Sequence, residues 1–102
     1  MIIIQTNTDT RKEAETIAKL LLKDKLAFLV HINQVRSFYL WKGNLIEGKE
    51  FVLNIKTLEV NSKKVIKMIN EEHSYEIPPI ISIPVKETSV AYLNLMKDEL
   101  LK

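Results

Sequence analysis

The sequence predicts a mixed α/β protein (α+β) with a ferredoxin-like sandwich, in which helices cover one face of a β-sheet, and with an extra C-terminal helix. Two observations lead to this class. Strand-like and helix-like segments alternate in the order β-α-β-β-α-β-α, and the first six form the split βαβ arrangement of that fold. The chain has 102 residues, which is enough for one domain over residues 1–102 and too few for two.

The N-terminal third predicts a strand followed by a helix. Residues 1–6 form a β-branched run that is typical of a strand. Thr10 and Glu13 match a capping box, in which the two side chains bind the first free amides of a helix. An apolar stripe with helical spacing follows at Ala14, Ile17, Ala18 and Leu21. The first helix is therefore expected to end near residues 23–25.

The middle of the chain predicts a long β-hairpin. A second strand covers residues 26–32 and continues over residues 35–41 after the polar pair at 33–34. Gly43 is suited to the positive φ that tight hairpin turns require. Residues 45–57 then return as the third strand.

The C-terminal third predicts a helix, a strand and a closing helix. The second helix covers about residues 58–72, and residues 75–79 are expected to be extended because two prolines follow Ile77. The last strand covers residues 80–85. Ser89 is placed to cap the closing helix, whose apolar residues are Ala91, Tyr92, Leu93, Met96 and Leu100.

The second strand is apolar on both faces. By simple alternation, Phe28, Val30 and Ile32 point one way, and Ala27 and Leu29 point the other. Strands of this kind are usually buried on both sides. We therefore expect a subunit interface on the second face, although the closing helix is an alternative cover for part of it.

Composition excludes several classes of function. The 15 basic and 13 acidic side chains leave a net charge of only +2, so we expect no nucleic-acid partner. The absence of cysteine excludes disulfides, thiolate metal sites and a thiol nucleophile. The apolar run at residues 1–4 is too short for a signal peptide or a membrane span, so we expect a cytoplasmic protein without a membrane partner.

Catalytic motifs are also missing from the sequence. It contains no G-x-S-x-G elbow, no glycine-rich phosphate loop and no H-E-x-x-H pair. We therefore expect a protein that is not an enzyme.

Several short motifs along the chain resemble those of the CutA family of divalent-cation-tolerance proteins. The matches are V-R-S-F-Y-L-W-K-G at 35–43 against V-R-S-x-Y-x-W-x-G, acidic residues at Glu47 and Glu50, I-K-T at 55–57, H-S-Y-E-I-P-P-I at 73–80 against H-P-Y-E-x-P-x-I, and A-Y-L at 91–93. They extend in order from the second strand to the last helix.

The resemblance implies a ferredoxin-like protomer in a homotrimer that is built by strand pairing between subunits. It also implies a cleft at each interface, lined by the signature residues, and a role in tolerance to divalent cations, of which copper is most often named. The expected architecture is similar in shape to that of the trimeric PII-type signalling proteins.

Three positions depart from the family pattern. Leu29 stands where a cysteine is common, Ser74 replaces a proline, and Leu95 replaces a tryptophan. The first change removes a sulfur ligand for copper, so that only imidazole, carboxylate and thioether groups remain as ligands.

His73, Glu76 and His31 are the candidate metal ligands. His73 and Glu76 are three residues apart at a predicted helix end, which suits binding of one ion by both side chains. The alternative is that His73 stabilises the helix C-terminus through the helix dipole. His31 is in a strand, where a structural role is the alternative.

Arg36, Tyr39, Trp41, Lys56 and Tyr75 are the candidate residues of the interface cleft. Tyr39 and Trp41 alternate on one strand face, where they either pack in an interface or stack on a ligand. Arg36 and Lys56 either bind an anion or form solvated ion pairs. Tyr75 belongs to the signature that the resemblance places in the cleft.

Three functions therefore remain open. The first is metal tolerance with weak binding of a divalent cation, copper in particular, through histidine and carboxylate. The second is a PII-like sensor that binds a small anionic ligand at the subunit interface. The third is a scaffold or assembly protein without a small ligand.

Overall fold

A computed structural model describes all residues from Met1 to Lys102. The chain forms β1 (Ile2–Thr8), α1 (Arg11–Lys23), β2 (Leu29–Trp41), β3 (Asn44–Thr57), α2 (Ser62–Glu72), β4 (Ile80–Pro84) and α3 (Val90–Leu100), with a short 3-10 turn at Glu59–Asn61 before α2. None of the helices is long and apolar enough to cross a membrane.

The four strands form one sheet in the order β2-β3-β1-β4. All neighbouring strands are antiparallel. This order and the two helices between the strands confirm the predicted ferredoxin-like class, and α3 is the predicted additional helix.

The core lies between one face of the sheet and the helices α1 and α2. Ile2 and Ile4 of β1 point into it, whereas Ile3 and Gln5 point to the opposite face. The predicted stripe of α1 is buried at Ala14, Ile17, Ala18 and Leu21. Each fully buried Ile or Leu side chain contributes about 1.5–3 kcal/mol of transfer free energy, so this face holds the sheet and helices together.

The start of α1 confirms one half of the predicted capping box and corrects the other. The Thr10 hydroxyl accepts a hydrogen bond from the Glu13 amide at 3.2 Å, as predicted. The Glu13 carboxylate does not return to Thr10. It accepts hydrogen bonds from Ser74 instead, because the chain after α2 packs against the first turn of α1.

The second strand begins later than predicted and is not interrupted. It extends from Leu29 to Trp41 without a break at the polar pair 33–34. The alternation expected for Ala27 and Phe28 is wrong, because these residues precede the strand. Ala27 is buried in the core with Val30 beside it, whereas the Phe28 ring contacts Tyr92 of α3 edge-to-face, with centroids 5.7 Å apart.

The chain from Thr57 to β4 differs from the prediction at two places. Helix α2 begins at Ser62, because Glu59–Asn61 form a 3-10 turn instead of its first turn. Residues 75–77 are bent, whereas an extended segment was predicted. The cap of α3 is confirmed, since the Ser89 hydroxyl accepts a hydrogen bond from the Tyr92 amide at 3.2 Å.

The hairpin of β2 and β3 is much longer than the rest of the sheet. Strand β1 pairs with β3 only over residues 51–57, so residues 44–50 of β3 pair with β2 alone. The turn residues Lys42 and Gly43 both have positive φ, at 50° and 79°, as in a type I′ hairpin. Apolar side chains on this two-stranded end are exposed, and Leu40 and Leu45 are 76% and 74% accessible.

Candidate functional site

A cleft of about 690 Å³ lies where β1 ends and the hairpin continues without it. We call it the hairpin cleft. It lies between the β2–β3 hairpin and the segment 73–79 that joins α2 to β4. Its lining residues are Asn7, Arg36, Ser37, Phe38, Tyr39, Trp41, Glu50, Tyr75, Glu76, Ile77 and Pro79.

His73 fixes the start of this segment beneath the cleft. Its side chain is completely buried, and Nε2 lies 2.6 Å from the carbonyl oxygen of Asn7. The amide of Tyr75 donates a hydrogen bond to Nδ1 at 3.1 Å. Because a carbonyl only accepts and an amide only donates, the ring has its proton on Nε2 and is neutral in this arrangement. His73 thereby connects segment 73–79 to the end of β1.

Glu13 holds the same segment from the side of α1. Its two carboxylate oxygens accept hydrogen bonds from the amide and the hydroxyl of Ser74, at 2.6 and 2.9 Å. Glu13 Oε1 also lies 3.6 Å from His73 Nδ1. The amide contact is available because position 74 is a serine and not the proline of the family signature, since proline has no N–H.

Tyr75 and Glu50 join the segment to the hairpin. The Tyr75 hydroxyl donates a hydrogen bond of 2.7 Å to Oε2 of Glu50, whose residue surface is only 8% exposed. Burial raises the pKa of Tyr75 far above its ordinary value, and the hydrogen bond to Glu50 and the negative charge of that carboxylate raise it further. Tyr75 is therefore a stable donor that stays protonated at neutral pH.

The hairpin supplies the aromatic wall of the cleft. Tyr39 and Trp41 lie two residues apart on β2, and both are about two-fifths exposed. Arg36 is ion-paired with Glu47 on β3, and its guanidinium lies 5.8 Å from the centre of the Phe38 ring. The charge of Arg36 is thus already balanced by a neighbour within the chain.

The structure brings together four of the five predicted cleft residues, and Lys56 lies outside this cleft within the chain. Arg36, Tyr39, Trp41 and Tyr75 line the hairpin cleft. Arg36 is opposite Lys49 in the hairpin, so Lys56 is seven residues further along β3, at roughly 24 Å. Its ammonium lies 5.4 Å from the ring of Tyr92 on α3. Arg36 and Lys56 therefore do not form a common anion site within one chain.

The predicted metal ligands do not converge either. His31 is exposed on β2, opposite Asn54, and Glu76 lines the hairpin cleft. No three His, Asp or Glu side chains lie close enough together to hold a metal ion. Both nitrogens of His73 are engaged, so coordination would require the loss of the Asn7 or the Tyr75 contact. The residues present do not fit a resident copper ion.

The sequence did not predict the roles that three residues of this region have in the structure. Asn7 supplies a backbone carbonyl at the end of β1, and no side-chain pattern predicts such a role. Glu13 matched a helix cap, and nothing local distinguishes that role from its contact with Ser74. Glu50 matched an acidic position of the family pattern, which does not predict its burial. The one feature of the sequence that indicates burial is its location directly before Phe51, where apolar side chains begin to alternate along β3.

The chain is similar to known proteins in both sequence and fold. The family described as "CutA1 divalent ion tolerance protein" matches residues 2–99. A curated relative, the "Divalent-cation tolerance protein CutA" of Pyrococcus horikoshii, is 34% identical over 99 residues, which cover 97% of each chain.

Two solved structures are similar over almost the whole fold. The crystal structure of CutA1 from Pyrococcus horikoshii has a TM-score of 0.95 at 33% identity, with all of both chains covered. The structure of a protein from Nostoc sp. PCC 7120, described as "PII-like protein CutA", has a TM-score of 0.91 at 29% identity, and the match covers 98% of this chain and 97% of that one.

Proposed function

Because the chain belongs to the CutA1 family of divalent ion tolerance proteins, we propose that it acts in divalent-cation tolerance as a homotrimeric receptor for a small ligand. In this proposal residues 1–102 form one binding domain without catalytic activity, and the protein is cytoplasmic. The observation that carries the receptor role is the hairpin cleft, whose volume of about 690 Å³ is within the range of ligand pockets.

The unsupported half of the hairpin favours a trimer. Residues 44–50 of β3 pair only with β2, and an isolated two-stranded ribbon is marginally stable in water. Its apolar side chains at Phe38, Leu40 and Leu45 are between 63% and 76% exposed. Strand pairing with a neighbouring chain would cover these side chains and the open backbone edge of β2.

The face of the sheet opposite the core gives a second argument. Ile81 and Ile83 of β4 are paired with Gln5 and Ile3, so they lie on the face that α1 and α2 do not cover. They are 54% and 38% exposed, which is high for isoleucine in a sheet. Helix α3 reaches this face near Lys56 through Tyr92. Neighbouring subunits would cover the remainder.

The receptor role also draws on the similarity to a protein described as PII-like. The hairpin cleft opens beside the apolar ribbon that we assign to the interface. The alternative, a scaffold without a ligand, would leave the connection from Glu13 through Ser74 and Tyr75 to Glu50 without a function.

A ligand screen tests the receptor proposal. Thermal-shift measurements on the parent with nucleotides, amino acids, amines and organic acids should identify compounds that raise the melting temperature. Tyr39→Ala should abolish the shift, because Tyr39 lines the cleft. Val60→Ala is the matched control, since Val60 is 75% exposed on the 3-10 turn. An empty screen would favour the scaffold role.

We further propose that the divalent cation itself binds only weakly. Candidate ligands are His73, Glu76 and His31, and His73 must first give up one of its two hydrogen bonds. Copper(II) should bind more tightly than zinc to nitrogen and oxygen ligands, by the Irving–Williams order. Because imidazole must be deprotonated to coordinate, copper affinity should fall as the pH is lowered.

Calorimetry with copper(II) and zinc tests this part. Glu76→Gln and His73→Ala should each weaken copper binding, and His31→Ala reports whether the exposed strand histidine takes part. Equal copper binding by all three variants and the parent would remove these side chains from the proposal. Binding in the nanomolar range would also contradict it.

A further inference from the structure

Glu50 is a nearly buried carboxylate without a cationic partner in the chain. It is 8% exposed, and its only hydrogen bond is the one that Oε2 accepts from Tyr75. The ion pairs of the structure join Arg36 to Glu47 and Lys67 to Glu71, and neither includes Glu50. Removing a carboxylate from water is costly unless an opposite charge compensates for it. Glu50 lines the hairpin cleft, so the cleft is where such a charge would bind.

The rest of the cleft is also suited to a cation. Arg36 is the only basic residue in the lining and is already paired with Glu47, whereas Glu50 and Glu76 add two carboxylates. The aromatic lining consists of Phe38, Tyr39, Trp41 and Tyr75. The faces of aromatic rings are electronegative and attract cations, most strongly where water is excluded. Among the lining residues an anion would meet two carboxylates and no unpaired base.

We propose that the ligand of the hairpin cleft is a small organic cation with an ammonium group and an apolar body. The ammonium binds Glu50, and the apolar body lies against the aromatic wall of Tyr39 and Trp41. This inference rests on the proposed receptor function and names its ligand class. A bare metal ion fits less well, because half of the cleft wall is aromatic or aliphatic and the ligating side chains do not cluster.

A matched set of probes separates charge from shape. Benzylamine, benzyl alcohol and benzoate share one aromatic ring and differ mainly in charge. Binding is measured by calorimetry and by the fluorescence of Trp41, which is the only tryptophan of the chain and lines the cleft. We expect benzylamine to bind about tenfold more tightly than either of the other two, and its affinity to fall with added salt.

Glu50→Gln assigns the effect to the buried carboxylate. Glutamine keeps the size of the side chain and an oxygen that accepts from the Tyr75 hydroxyl, so the fold is expected to remain intact. Benzylamine affinity should fall about tenfold, and benzyl alcohol affinity should not change. Glu99→Gln on α3 is the control, because it removes an exposed carboxylate outside the cleft.

Four results of the probe and metal titrations would overturn the inference. The first is tighter binding of benzoate than of benzylamine, and the second is equal benzylamine affinity of Glu50→Gln and the parent. The third is no detectable benzylamine binding at millimolar concentration. The fourth is copper or zinc binding that Glu50→Gln abolishes while benzylamine binding is unchanged. If the trimer dissociates in Glu50→Gln, the Glu50 carboxylate instead forms an ion pair with a basic side chain of a neighbouring subunit, and the inference is overturned. An anionic hit in the ligand screen that depends on Tyr39 would keep the receptor function and reject only its cationic ligand.

Discussion

The two halves of β3 are parts of one strand but lie in different environments. Residues 51–57, the inner half, pair with β1 on one side and β2 on the other, and Phe51, Leu53 and Ile55 are buried beneath the helices. Residues 44–50, the outer half, pair with β2 alone, and Leu45 and Glu47 are exposed. The first environment stabilises a single chain. We expect the second to be stabilised by a neighbouring chain of the proposed trimer, and the hairpin cleft lies at the boundary between them.

The largest expected difference between the halves is in the response to truncation. Leu53 has no exposed surface, so Leu53→Ala should lower the free energy of unfolding by about 2–5 kcal/mol. Leu45→Ala is the matched change on the outer half, where 74% of the residue is exposed in the single chain; because the proposed trimer covers this side chain, the loss should be smaller and should depend on protein concentration. Urea titrations measure both. Similar losses for the two variants would show that the halves are not distinct.

Tyr75 tests the connection at the boundary. Tyr75→Phe removes the hydrogen bond to Glu50 and leaves a nearly buried carboxylate without its donor. Hydrogen bonds to charged groups contribute about 1.5–3 kcal/mol, so the melting temperature should fall measurably. Tyr92→Phe is the control, because the Tyr92 ring packs against Phe28 at the other end of the sheet. If both variants melt alike, the contact between Tyr75 and Glu50 does not support the boundary.

Ser74 tests how the segment beneath the cleft is held. Ser74→Ala removes the hydroxyl contact with Glu13 but keeps the amide contact, and should cost about 0.5–1.5 kcal/mol. Ser74→Pro removes both and should cost more, although it restores the residue of the family signature. If Ser74→Pro is as stable as the parent, the Glu13 contacts do not hold this segment.

The smallest effect appears only at high pH. The pKa of Tyr75 is raised in the folded chain above its ordinary value of 10.0. Its contribution to stability is therefore complete below pH 10 and is lost progressively as the pH rises above that value. Denaturation at several pH values between 9 and 11 should show the parent losing more stability than Tyr75→Phe. Parallel curves would contradict the burial of the hydroxyl.

Local sequence patterns were sufficient to predict the strands and helices that surround the inner half of β3. The β-branched run of residues 1–6 and the apolar stripe of α1 each depend on neighbours within a few positions, and both predicted the right kind of element. The hairpin turn at Gly43 even sets the register that places Arg36 opposite Lys49 and far from Lys56. Counting from the turn would therefore have separated Arg36 and Lys56 within one chain from the sequence alone.

Contacts between distant segments were not predictable in the same way. The partners of Glu13 and His73 are 61 and 66 residues away, and no local pattern distinguishes a helix cap from a tertiary contact. The Phe28 side chain contacts Tyr92 of α3 and not the core, because β2 begins one residue after Phe28 and strand alternation does not apply to it. The resemblance to the family identified Tyr75 as a candidate cleft residue. The role of Glu50 could not be predicted in this way, because it depends on the burial of the side chain in the folded chain.

The mass of the protein in solution tests the central claim most directly, because in the proposed trimer a neighbouring chain covers the outer half of β3. Sedimentation equilibrium or light scattering at micromolar concentration should give about three times the chain mass of 11.8 kDa. A particle of 11.8 kDa that unfolds in a single cooperative transition would contradict the account, because the ribbon would then be stable in an isolated chain.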